Sequence, residues 1–118
     1  MSVRRTAVGR VTVLSATGGL TGGDETDRLR EAILGEAAAG NTLLILDLSE
    51  CGKMNSSGIS VLVEAYRDYA GRGGEIRLCG LHQRMANQLA TVRIIDFFGR
   101  HATVEEAVAA FAERAAGA

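Results

Sequence analysis

Four consecutive residues, Asn55-Ser56-Ser57-Gly58, combine a capping amide, two small hydroxyls and a glycine. They lie between an apolar run, Leu43 to Leu48, and an amphipathic segment, Ile59 to Ala70. A strand-to-helix junction is a favourable place for negative charge. The first-turn amides lack intrahelical partners, and the helix dipole favours an anion. A phosphate ester on a serine there would meet donors already in place. Helix capping by Asn or Ser, with Gly easing the turn, accounts for the same four residues without chemistry. Spacing leaves both readings open.

Other residues of reactive type are isolated. His82 and His101 have no nearby cysteine or paired carboxylate and read as loop or helix-end residues. Cys51 and Cys79 end apolar strand-like runs and lack metal-ligand spacing, so they read as buried free thiols. Asp47 has no second carboxylate placed to share a metal. The glycine cluster Gly18 to Gly23 follows a strand and precedes a helix. It lacks the Gly-Lys-Ser/Thr ending and the dinucleotide spacing of phosphate loops, which leaves a small nucleotide-binding protein as the weaker alternative. No catalytic constellation, metal site or cofactor motif is legible, and the chain is expected not to be an enzyme.

The elements that must position Ser56 follow from periodicity. Val11 to Ser15 is β-branched and reads as a strand, with a weaker strand between Val3 and Val8 and Gly9-Arg10 as the turn. Gly18 to Gly23 reads as a loop. Asp24-Glu25-Thr26-Asp27 opens a helix, with acids where the dipole welcomes them. Leu29, Ile33 and Ala37 form its stripe, and Gly40-Asn41 stops it. Leu43 to Leu46 is continuously apolar, as a central strand covered on both faces should be. Ile59, Leu62, Val63, Tyr66 and Tyr69 give the next helix its face, and Gly71, Gly73 and Gly74 end it.

Ile76 to Cys79 is the next strand. A short helix is expected over His82 to Ala90, with Met85 and Leu89 inward. Ile94 to Phe98 is predicted as a last strand. Thr103 to Glu106 resembles a capping box ahead of a closing helix that buries Val104, Ala107, Val108 and Phe111. The tail from Ala112 to Ala118 is expected to fray. Strands alternating with helices predict an α/β domain with a largely parallel sheet and right-handed crossovers.

The 118 residues suffice for one compact domain, expected over 1–118 with its core at about 11–111. Thirteen basic residues against 14 acidic ones argue against a binder of nucleic acid or anionic membrane. No apolar run approaches a membrane span, and no apolar stretch follows the charged start Met1 to Thr6 as a secretory signal requires. A cytoplasmic location is therefore expected. Proline is absent, so no slow prolyl step should limit folding.

Taken together, Leu46-Asp47-Leu48-Ser49, then Met54-Asn55-Ser56-Ser57-Gly58, then Gly73-Gly74-Glu75-Ile76-Arg77-Leu78 resemble the STAS domain, and within it the bacterial anti-sigma factor antagonists. The likeness runs from about Val11 to Phe111. It implies a mixed, mostly parallel sheet of four to five strands flanked by about four helices. It also implies a partner-switching role in transcription regulation. The unphosphorylated protein would bind an anti-sigma factor serine kinase, and phosphorylation of Ser56 would release it. Thr21, Asp24, Asn55, Ser56, Ser57 and Gly58 would form the partner surface of a monomer or weak dimer. A second implied role is a STAS regulatory subunit that works unphosphorylated in a stress-signalling assembly or beside a transporter.

Two positions depart from the family pattern. Asn55 stands where the family usually has Asp, and Gly18-Gly19-Leu20-Thr21 stands for Gly-x-Leu-Asp. Each change removes a carboxylate from the region that family members use to meet the partner. A charged hydrogen bond to a partner is worth about 1.5–3 kcal/mol. Asn and Asp are close in shape, so Asn55→Asp is expected to change charge without a packing cost.

Overall fold

The computed structural model describes residues 3–117. The order is β1 (Val3–Val8), β2 (Val11–Leu20), α1 (Gly23–Ala38), β3 (Leu43–Met54), α2 (Ser56–Gly71), β4 (Glu75–Cys79), α3 (Gln83–Thr91), β5 (Gly99–His101) and α4 (Val104–Gly117). One sheet takes the five strands in sequence order. β1 pairs antiparallel with β2 across the Gly9-Arg10 turn, and every later pair is parallel. The predicted fold class is the observed one.

β3 shows why its run is apolar on both sides. Leu44, Leu46 and Leu48 face a core shared with Leu29 and Ile33 of α1, Leu62 and Tyr69 of α2, and Met85 and Leu89 of α3. Ile45 faces the opposite way, where Val13 and Cys79 meet Ala107 and Phe111 of α4. Fully burying one such side chain is worth roughly 1.5–3 kcal/mol. The stripe Leu29, Ile33, Ala37 is buried as its spacing requires. Tyr69 joins the two first-layer helices by donating its hydroxyl to Ile33 O at 2.7 Å. Burial pushes that phenol well above its ordinary value.

Two predicted boundaries and one element differ. Gly18, Gly19 and Leu20 are not loop: they pair with Cys51, Lys53 and Met54. β2 and β3 therefore run together well past Asp47, where β4 stops pairing. Ile94 to Phe98 is not a strand but a 3₁₀ turn, Ile95–Phe97, and the last strand is the three residues that follow. Arg93, at φ 62°, turns the chain after α3, and Phe97 N donates to Ile94 O at 3.0 Å. Ile94 and Phe98 go inward while Asp96 stays exposed; an extended chain would have put Asp96 on their face.

α4 opens on the expected capping box. Glu106 N donates to Thr103 Oγ1 at 3.2 Å, and Glu106 Oε2 accepts from Ala102 N at 2.9 Å. Its helical backbone continues through the alanine-rich tail to Gly117; Met1, Ser2 and Ala118 lie outside the described residues. Among the described residues, no helix is long and apolar enough to cross a membrane.

Candidate functional site

The carboxyl ends of β2 and β3 deliver two helix starts side by side. On β2 the connection to α1 is only Thr21-Gly22. On β3 the connection to α2 is Asn55 alone. So short a β2–α1 link leaves no glycine loop free to cradle a nucleotide phosphate, which weighs against the nucleotide reading.

Asn55 holds the two junctions together. Its backbone N–H donates to Leu20 O at 3.1 Å. Its side-chain Nδ2 donates to Thr21 O at 3.0 Å, and Oδ1 accepts from Ser57 N at 2.9 Å, capping α2. The two side-chain bonds need opposite ends of the amide, which fixes its orientation. A carboxylate has no proton to donate to Thr21 O. Asn55→Asp would keep the cap and the backbone bond to Leu20 O but lose the side-chain bond to Thr21 O, so the exchange alters a hydrogen bond as well as charge.

Gly58 shows how close the packing is beneath. A Cβ there would lie 2.6 Å from Leu20 O and 2.7 Å from Met54 Cγ. Leu20 and Met54 are register partners, so the first turn of α2 sits directly on the β2–β3 ladder. Only glycine lets the helix approach so far.

Above this base, Thr21, Asp24, Asn55, Ser56 and Ser57 are all exposed, while Gly58 is buried. Of the six predicted site residues, five are exposed at or beside the two helix starts, and Gly58 is buried beneath the first turn of α2. Ser56 is the first residue of α2, and its carbonyl accepts from Ser60 Oγ at 2.9 Å. The first turn of α2 carries no acid, whereas α1 opens with Asp24 and Glu25. A negative group on Ser56 would sit at the positive end of a helix dipole that no side-chain carboxylate of that turn already offsets.

Two contributors escape the sequence reading. Thr26, buried in α1, accepts from Gly22 N at 2.8 Å and so stabilises the start of that helix. Its place three residues before Leu29, in line with Ile33 and Ala37, was the available signal. Gln88 of α3 donates to Met54 O at 2.7 Å from 34 residues away, a tertiary contact with no local signature.

The isolated reactive residues are occupied elsewhere. His82 caps α3, its Nδ1 accepting from Met85 N at 3.4 Å. His101 is 3.0 Å from Arg77 Nη1; a guanidinium only donates, so that ring nitrogen accepts. Asp47 accepts from Ser49 N at 3.1 Å and from Ser15 Oγ at 3.4 Å. Cys79 is buried beside it. Burial first, then the Asp47 carboxylate, pushes its thiol up to about 12, far from thiolate chemistry at neutral pH. Burial also raises the Cys51 thiol. Among the described residues, no group of three or more His, Cys, Asp or Glu could hold a metal ion.

The fold and the paired helix starts define a class: small mixed-sheet α/β domains that present a loop surface at the ends of their central strands. The chain belongs to the STAS domain family, whose model matches residues 3–107. Solved structures share its fold. A serine-to-glutamate variant of RsbS from Moorella thermoacetica superposes with a TM-score of 0.83 at 16% identity, covering 98% of each chain. An anti-sigma factor antagonist from Mycobacterium paratuberculosis gives 0.79 at 20% identity over 92% of each chain. The phosphorylated form of the Bacillus cell fate determinant SpoIIAA gives 0.76 at 20% identity, covering 93% of this chain and 99% of that one. At such identities the likeness is one of fold. No curated protein matches the chain by sequence.

Proposed function

We propose that this chain is a phosphorylation-switched binding module, an anti-sigma factor antagonist. Unphosphorylated, it binds an anti-sigma factor serine kinase through Thr21, Asp24, Asn55, Ser56, Ser57 and the turn that Gly58 supports. Phosphorylation of Ser56 adds about −1.5 to −2 charges to that surface and releases the partner. The protein acts in the cytoplasm as a monomer or weak dimer, and it catalyses nothing itself.

The observation that carries this reading is the exposed Ser56 hydroxyl at the start of a helix whose first turn contains no acid. The domain can hold a phosphate there without unfolding, so the consequence falls on the partner. Solved structures of the same fold that are described as anti-sigma factor antagonists support it. Asn55 and Thr21 favour a second reading, a STAS subunit that works unphosphorylated, because each lacks the carboxylate that the family usually carries there.

A pull-down from the native cell, with and without phosphatase treatment, tests the proposal. The phosphatase-treated protein and Ser56→Ala should capture a kinase-bearing partner, and Ser56→Asp should lose most of it. Equal capture by all forms would favour the unphosphorylated subunit.

A further inference from the structure

We infer that Gln88 of α3 is a positioning residue for Ser56, and that α3 thereby sets how the switch serine is presented. The inference rests on the phosphoacceptor reading for its consequence, but not for its geometry.

The peptide unit joining Met54 to Asn55 immediately precedes the α2 cap. Its N–H donates to Leu20 O of β2 at 3.1 Å. Its C=O accepts from Gln88 Nε2 of α3 at 2.7 Å. In a trans peptide the N–H and C=O point in opposite directions, so these two bonds grip the plane from both sides. β4 would be the natural donor on the second side. Its pairing with β3 ends at Asp47↔Cys79, seven residues short of Met54. Gln88 supplies the donor that a longer β4 would have given. The orientation of this plane directs the Asn55 side chain, the cap on Ser57 N and the Ser56 hydroxyl.

The cost of this arrangement argues that it is not there for stability alone. Gln88 Oε1 is buried, and among the described residues it has no hydrogen-bond partner. A buried acceptor left unsatisfied is unfavourable, whereas an apolar side chain beside Met85 and Leu89 would add to the core. Half of the amide is thus sacrificed to hold one carbonyl.

The test uses Gln88→Leu, which removes both amide groups, and Gln88→Glu, which keeps the shape but, when ionised, can only accept. Arg84→Ala, an exposed change on the same helix, is the control. The first readout is amide hydrogen exchange in the free protein. Both Gln88 variants should speed exchange at the hydrogen-bonded amides of Asn55, Ser57 and Ile59 by about tenfold, the factor that one net hydrogen bond brings. Leu46 and Leu78 should be unaffected, as should every site in Arg84→Ala. Unchanged exchange at these three amides, or an equal rise throughout the core, would overturn the inference. The second readout is the rate at which a cell extract phosphorylates Ser56, expected to fall several-fold in both variants. If the unaltered protein takes no phosphate at Ser56, the phosphoacceptor reading fails, and exchange alone still decides the role of Gln88.

Discussion

The helices α1 and α2 begin next to each other, and each must satisfy the free amides and positive dipole end of its first turn. α1 does so with its own parts. Asp24 and Glu25 supply negative charge, and the one hydroxyl of that turn, Thr26, is buried and bound to Gly22 N. α2 is capped from the preceding residue by Asn55, has no acid in its first turn, and leaves Ser56 and Ser57 exposed. One hydroxyl is committed to the fold; the others face outward where a charge would be welcome. Exposure and existing partners, more than residue type, separate a structural hydroxyl from one open to chemistry.

Mutations can break that contrast in graded steps. The largest effect belongs to the base of α2. Gly58→Ala drives a methyl into Leu20 O and Met54, and a well-packed site resists such additions by about 3 kcal/mol. Chemical denaturation should show that loss, and the α2 start should shift away from β2. Thr26→Val keeps the shape and removes the acceptor for Gly22 N–H, so unfolding free energy should drop by about 2 kcal/mol. Were Thr26→Val neutral, the two helix starts would not differ as described.

Asn55→Ala should cost about 1 kcal/mol as a lost cap. Asn55→Asp should recover most of that through the cap while raising the mobility of Thr21, measurable by NMR relaxation, because the Nδ2 donor is gone. Smallest of all is Ser56→Asp. An acid at the start of a helix is tolerated or mildly favourable, so its melting temperature should move by no more than about 0.5 kcal/mol implies. A large destabilisation by Ser56→Asp would mean that α2 cannot hold the charge.

Much of this arrangement was legible in the sequence because the signals were local. The continuous apolar run at Leu43 to Leu46, the Leu29–Ile33–Ala37 stripe and the Thr103/Glu106 pair each depend on spacing within one element. Asn55 to Gly58 announced a strand-to-helix junction by residue type together with the apolar run before it and the amphipathic segment after it. The strand character of Gly18 to Leu20 was hidden, because glycines read as turn and only pairing with Cys51 to Met54 extends them. Ile94 to Phe98 misled for the opposite reason: its residues suit a strand, but Arg93 in a left-handed conformation and the buried pair Ile94 and Phe98 wind it into a turn. The roles of Gln88 and of the Asn55 donor to Thr21 depend on residues 34 positions apart and could emerge only from the fold.

The central claim, that Ser56 is the switch, is tested most directly by phosphosite mapping of the protein recovered from its native cell. Mass spectrometry of the unaltered chain should place the phosphate on Ser56, and Ser56→Ala should carry none. Phosphate found on Ser57 or Thr21, with Ser56→Ala labelled as fully as the unaltered protein, would contradict the account.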